Sequence, residues 1–259
     1  MAATAALKVK PQAPRTAAAP DRRSVRTRTI PEQIADHVAI AIIKGEFRDG
    51  EHLPEQKIAA LFDVSHGPVR EAIRTLSKRG LVEFRPRRGA FVIGVTIDAI
   101  ADIFNIRAVL LGLAAHSFAK LPAKQRPMAE LNDRIAFIRT LSGSRGVDPE
   151  TFAQALGRLG RAIFDGCGNA HLTRILREEA AGSVWGYLWR EHTLDFHNQK
   201  RRTTATADWA EVVAAITAGD GKRASQFTRK ALFDSRDAAI DTLQQLRGES
   251  VSASRFVRE

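Results

Sequence analysis

The 259-residue sequence is poor in several things: it has a single cysteine, Cys167, two methionines and one tyrosine, and only 7% of it is aromatic. One thiol excludes an intramolecular disulfide framework and agrees with a reducing compartment. No apolar run approaches the roughly 20 residues of a helical membrane span, and the first residues lack the apolar core of a secretion signal. A cytoplasmic protein without a membrane partner is the simple expectation. A Gly-rich phosphate loop, an HExxH or CxxC pair and a Ser/His/Asp arrangement in recognisable context are also missing, so no enzymatic activity is expected.

What is present in excess is positive charge. Forty Lys and Arg against 29 Asp and Glu give a formal net charge of +11, which favours an acidic partner, nucleic acid being the commonest. The charge is uneven: residues 1–95 carry 17 basic and 10 acidic side chains, the remainder 23 and 19. The front of the chain is therefore the expected contact surface. With 44% apolar residues the chain is long enough for about two domains with real cores.

Residues 1–29 are Ala, Pro and basic, with only Asp21 acidic, and read as a disordered arm. Its Arg22, Arg23, Arg26 and Arg28 suit phosphates or a minor groove, and equally a solvated tail. The same composition occurs in transit peptides, but nothing else points to an organelle. From Ile30 the pattern turns regular. Pro31 opens a helix with Ile34, Val38 and Ile42 on one face, ending at Gly45. GEFRDGEHL is a turn-rich connection, and a short second helix from about Pro54 carries Ile58, Ala59 and Phe62.

The informative stretch is VSHGPVREAIRTLSKRGLVEFRPRRGAFVI, residues 64–93. Val69, Ala72, Ile73 and Leu76 form one apolar helical face, and the opposite face carries His66, Gly67, Arg70, Arg74 and Ser77. Ser65 is placed to cap the helix start, and Pro68 costs little in a first turn. Free N–H groups there suit a phosphate, and Arg70, one turn inside, suits a bidentate contact to guanine. LVEFR and AFVI then read as two strands joined through a basic PRRG tip, with Gly89 supplying positive φ or a close backbone approach. Helix, helix, recognition helix and two-stranded wing make a winged helix-turn-helix over residues 30–95. Residues 96–246 show long helical stretches, at 96–119, after Ala123, and at about 150–165, from Asn169, 207–218 and 221–246. They carry no convincing strand, which predicts an all-α helical bundle followed by a flexible tail at 247–259. The fold class expected is thus mostly α.

The run GEFRDGEHLPEQKIAALFDVSHGPVREAIRTLSKRGLVEFRPRRGAFV resembles the DNA-binding domain of GntR-type bacterial transcriptional regulators. VS-x-x-PVREAI, GLV and RRGAFV carry the likeness. Two positions depart from the family pattern: Asp63 stands for the usual turn glycine, and His66 for the usual arginine. The resemblance implies that Gln56, Ser65, His66, Gly67, Arg70, Arg88 and Gly89 face double-stranded operator DNA, with Arg74 and Arg79 on phosphates. The helical half is similar to the FCD ligand-binding domain of the FadR branch, through DIFNIRAVLLGLAAHSFA, IFDGCGNAHLTRIL and DWAEVVAAITAGDGKRASQFTRKAL. Many members of that branch hold a divalent metal through one Asp and three His. Here the corresponding positions are Leu156, Gly160, Trp209 and Ala231, so the usual metal site is expected to be absent and no cofactor is implied. His171, His192 and His197 form a conceivable substitute, although scattered histidines are more often surface residues.

Without a cation, an anionic effector would rely on Arg107 or Arg161; a larger apolar effector would use Trp185, Tyr187 and Trp209, with Gly157 and Gly160 making room. The same aromatics also suit a plain core. The resemblance implies a homodimeric regulator, repressing by default, whose palindromic operator is released by an unidentified small molecule. The alternative is a constitutive DNA-binding protein whose helical domain only dimerises.

Overall fold

The computed structural model describes residues 28–182 and 193–248. Helix α1 (Ile30–Ile43) begins in a reciprocal capping box: the Glu32 amide donates to Thr29 Oγ1 at 3.4 Å, and the Thr29 amide donates to Glu32 Oε2 at 2.9 Å. Ile34, Val38 and Ile42 are buried, as their spacing predicts. Helices α2 (Glu55–Phe62) and α3 (His66–Lys78) follow, joined through Asp63 at φ 52°. Its short polar side chain tolerates the left-handed backbone where a glycine is more usual. Val69, Ala72, Ile73 and Leu76 of α3 are all buried in the core shared with α1 and α2.

The wing departs from the expected two strands. Strand β1 (His52–Leu53) lies in the segment read as a turn-rich connection, and β2 (Val82–Arg85) and β3 (Gly89–Val92) follow α3. The antiparallel order is β1-β3-β2, with His52 opposite Phe91, Leu53 opposite Ala90, and Arg85 opposite Gly89. Two residues are too few to show an alternating pattern, so pairing to β3 alone makes β1 a strand. Its buried Leu53 closes the sheet over the helices. At the tip the left-handed backbone is shared by Arg87 (φ 60°) and Gly89 (φ 90°).

The remaining described elements are helices: α4 (Ile97–Lys120), a single 3-10 turn (Ala123–Gln125), α5 (Met128–Gly143), α6 (Pro149–Asp165), α7 (Ala170–Gly182), α8 (Gln199–Thr217) and α9 (Gly221–Arg247). Ile97, Ile100, Phe104 and Leu111 of α4 are buried. Helix α9 packs along α4, and small residues permit the approach. A Cβ at Gly112 would stand 3.0 Å from Arg229 Cγ, and one at Gly221 would stand 2.9 Å from His116 Nδ1. Helix α8 starts well before the expected residue 207. Asn198 caps it, accepting from the Arg201 amide at 2.8 Å. The early turns were illegible because their buried face is Arg202, Ala205 and Thr206, which carry no apolar period.

The end of the chain also differs from expectation. Arg247, placed at the start of a flexible tail, is the last residue of α9 and reaches into the DNA-binding half. Its Nη1 donates to the Val95 carbonyl at 2.7 Å, and its Nη2 donates to the Ile43 carbonyl at the end of α1. Cations are favoured at such carbonyl-rich helix ends. The expected basic arm lies outside the described residues except for Thr29, which caps α1, and Arg28, which is bound to Asp36 at 3.1 Å.

Candidate nucleic-acid interface

The exposed side of α3 carries His66, Gly67, Arg70 and Arg74, and Gln56 on α2 is exposed as well. Ser65 occupies the N-cap position of α3 with extended backbone, but its hydroxyl makes no capping hydrogen bond, contrary to expectation. The first turn of a 13-residue helix is thereby left with outward amides beside an exposed hydroxyl, which suits a phosphate oxygen.

Arg70 is held in place. Its Nε donates to Glu55 Oε2 at 2.8 Å, across the turn between α2 and α3. An ion pair this exposed, with 64% of the Arg70 side chain accessible, adds little stability, but it orders a long flexible side chain. With Nε engaged, the Nη1–Nη2 edge of the guanidinium remains, a fork of the kind that recognises the O6 and N7 of guanine. Glu55 was missed from the sequence because it lies 15 positions from Arg70 and only the fold joins them.

Arg79 corrects another expectation. It was assigned to phosphates, but its Nη1 donates to Asp36 Oδ1 at 3.3 Å, tying the end of α3 to α1. Asp36 is also held by Arg28, and its burial needs that compensation. In the wing, Arg88 and Gly89 are exposed at the tip. A Cβ on Gly89 would lie 3.0 Å from His52 Nε2, so β1 reinforces the need for glycine there. Arg85 is drawn aside, bonded to Glu83 and lying 4.2 Å over the Phe91 ring.

In the helical half, the residues proposed for an effector do not converge. Arg107 is buried and paired with Glu179 of α7. Burial pushes the Glu179 carboxyl above its usual range and the Arg107 guanidinium below its own, and their attraction opposes both shifts. Arg161 and Gly157 are exposed on α6 rather than turned inward. Trp209 is buried on α8, whereas Trp185 and Tyr187 lie outside the described residues.

A buried polar cluster escaped the sequence reading. Asp195, 5% exposed, accepts from Arg201 Nε at 3.0 Å and Nη2 at 2.8 Å, and the same Nη2 donates to Ser235 Oγ at 3.0 Å. Beside it Arg202 Nη1 donates to the carbonyl of Phe196, a residue at φ 69° whose ring lies 5.1 Å from that of Phe152. Burial raises the Asp195 carboxyl, with Arg201 pulling it back. The segment LDFHNQKRR has the composition of a polar loop and gave no signal that its start is buried.

The four positions where a metal is implied do not suit one. Leu156, Trp209 and Ala231 are buried and apolar, and Gly160 faces Leu111, its absent Cβ 3.6 Å from Leu111 Cδ2. A dehydrated cation would find no replacement ligand among them. Among the described residues no three His, Cys, Asp or Glu side chains are grouped to hold an ion. His171 and His197 are exposed, and His192 lies outside the described residues.

A winged helix-turn-helix with a basic exposed recognition face, joined to an all-helical bundle, defines the architecture of a bacterial transcriptional regulator. The chain belongs to the GntR family: the model of bacterial regulatory proteins of the gntR family matches residues 30–92, and that of the FCD domain matches residues 102–233. It is 30% identical over 215 residues to an HTH-type transcriptional regulator of Streptomyces ambofaciens, covering 79% of this chain and 81% of the relative. It is 31% identical to a probable D-xylose utilization operon transcriptional repressor of Paenarthrobacter nicotinovorans, over 60% of this chain and 67% of the relative. A match to the gluconate operon transcriptional repressor of Bacillus licheniformis, 37% identical, spans only 30% and 32% of the two chains. In solved structures the fold is shared with a protein described as Lar, which controls expression of the Listeria monocytogenes agr system. There the TM-score is 0.62, at 19% identity, over 83% of this chain and 98% of that one. The fold is also shared with E. coli McbR/YncC, at TM-score 0.53 and 18% identity, over 85% and 99%.

Proposed function

We propose that this regulator is a homodimeric, cytoplasmic repressor that binds a palindromic operator and releases it when a small molecule enters the helical domain. The observation that carries the DNA-binding part is Arg70 fixed by Glu55 on an otherwise exposed basic helix face, beside a wing tip formed by Arg88 and Gly89. Ser65, His66, Gly67 and Arg74 take phosphates around the base contact, and Gln56 approaches from α2. Repression is the role named for two of the relatives, those of the xylose and gluconate operons.

Effector control is supported by buried arginines in the bundle. The effector is held without a metal, by guanidinium groups and apolar walls, and the protein has no catalytic role. An anion entering the bundle competes with Asp195 for Arg201, or with Glu179 for Arg107, and so gains differential affinity for one arrangement of the domain. The apolar side chains at the metal positions favour a second reading, a constitutive DNA-binding protein with a purely dimerising bundle. The two readings separate on titrating a protein–operator complex with a panel of sugar acids, carboxylates and apolar metabolites, followed by fluorescence anisotropy. Release by one compound, abolished by Arg201→Ala with DNA affinity intact, supports the first. Indifference to every compound supports the second.

A further inference from the structure

Helices α5 and α6, joined through residues 144–148, pack against each other and leave a groove of about 430 Å³ on their outer side. That volume lies in the range of small-molecule sites. One wall is a single stripe of α5, Glu130, Asp133, Arg134 and Phe137, whose spacing of three and four puts them on one helical face. The other wall is Ala155 and Arg158 of α6. Gly160, two positions further on, faces Leu111 of α4 instead, so the groove is separate from the bundle interior.

The four charges lining the groove are not all matched. Arg134 is held by Glu130, whose Oε1 accepts from its Nε at 3.0 Å and its Nη2 at 2.6 Å. Among the described residues, neither Arg158 nor Asp133 has an ion pair or a side-chain hydrogen bond. One cation and one anion therefore face the groove without a partner. Desolvation, and then the like charge of Arg134, push the Arg158 guanidinium below its ordinary range, and no acid offsets them. A carboxylate at Arg158 relieves both effects, through paired N–H donors. A carboxylate alone would leave Asp133 facing a like charge, and an amine alone would leave Arg158 so. A molecule carrying both charges satisfies both residues. Next to them Phe137, 49% exposed, stands one turn from Arg134, and the small side chain of Ala155 leaves room beside its ring. That end suits an apolar group.

We propose that the groove between α5 and α6 binds a free α-amino acid with an apolar side chain. Arg158 takes the carboxylate, Asp133 the ammonium and Phe137 the side chain. A peptide terminus does not meet the same need, because it presents only one of the two charges. The site is independent of Arg107 and Arg201, and so of whether an effector enters the bundle.

Equilibrium dialysis of the full chain against labelled L-phenylalanine and L-leucine tests it. Hydrocinnamate, which lacks the ammonium, and phenethylamine, which lacks the carboxylate, serve as unlabelled competitors. Arg158→Ala and Asp133→Asn, both at exposed positions, are expected to keep the circular dichroism of wild type and to weaken amino-acid binding by about tenfold or more, the effect of a lost charge-assisted hydrogen bond. Each competitor should bind wild type more weakly than L-phenylalanine by a similar factor, and Phe137→Ala should weaken both amino acids. Hydrocinnamate bound as tightly as L-phenylalanine would make this a carboxylate site and overturn the proposal. Retention that survives Arg158→Ala would place the amino acid elsewhere and overturn it as well. So would no retention of either amino acid by wild type at about 1 mM.

Discussion

Arg247 and Val95 stand 152 positions apart in the chain, yet Arg247 Nη1 donates to the Val95 carbonyl at 2.7 Å. Through its other bond, to the Ile43 carbonyl, the last residue of α9 holds the end of α1 and the start of the bundle at one point. A change in α9 is therefore felt directly by the DNA-binding half, without passing along the backbone link of residues 93–96.

Arg247→Ala removes two charge-assisted hydrogen bonds and leaves the carbonyls of Ile43, at the end of α1, and of Val95, just before α4, without this donor. The expected cost is about 2 to 3 kcal/mol. Urea unfolding followed by Trp fluorescence and by far-UV circular dichroism should show the halves melting at separate midpoints in the variant and closer together in wild type. Coincident, unchanged transitions in both would remove Arg247 from this role.

Arg70→Ala should weaken specific operator binding by about 1 to 3 kcal/mol and relax base preference at one position of each half-site. Glu55→Ala should cause a smaller loss. Because Glu55 acts by orienting Arg70, the double variant should be no worse than Arg70→Ala alone, whereas independent contacts would add. Anisotropy titrations of the three variants on the same duplex decide between these outcomes.

Gly89→Ala meets both a left-handed backbone at φ 90° and a contact 3.0 Å from His52 Nε2. The backbone term alone is about 1 to 2 kcal/mol. The wing tip should be displaced, with DNA affinity reduced more than thermal stability. Gly89→Ala in combination with His52→Ala should recover part of the loss, since the clash is then relieved.

Asp195 and Glu179 have carboxyl groups raised by burial, so each binds its proton more tightly in the folded chain than in the unfolded one. Their contribution is therefore fully favourable below the ordinary carboxylate range. It is lost as pH climbs from about 4 through the raised folded values. Asp195→Asn should flatten the fall of unfolding free energy as pH rises above about 4, measured by urea titration at fixed ionic strength. An identical slope in variant and wild type would mean that Asp195 does not titrate in that window.

The DNA-binding half was legible because its signals are local. Val69, Ala72, Ile73 and Leu76 set the buried face of α3, Asp63 sits in the turn at positive φ, and PRRG marks the wing tip. What escaped depends on residues far apart in the chain. Strand β1 exists through its pairing with β3, Arg70 is aimed by Glu55, and Arg79 is drawn to Asp36 rather than to a phosphate. In the bundle, helical periods gave most elements. The early turns of α8 were hidden because polar side chains, Arg202 and Thr206, occupy its buried face and find their partners within the fold. Arg107 and Arg161 looked equivalent as a sequence, and only packing separates a buried ion pair from an exposed cation.

The most direct test of the account is selection of binding sites from random duplex DNA by the purified full chain, with Arg70→Ala as control and the enriched site retested at two salt concentrations. The account predicts one palindrome, its half-sites centred about one helical turn apart, enriched by wild type and not by Arg70→Ala. Absence of any enriched sequence, with affinity governed by salt alone, would contradict it.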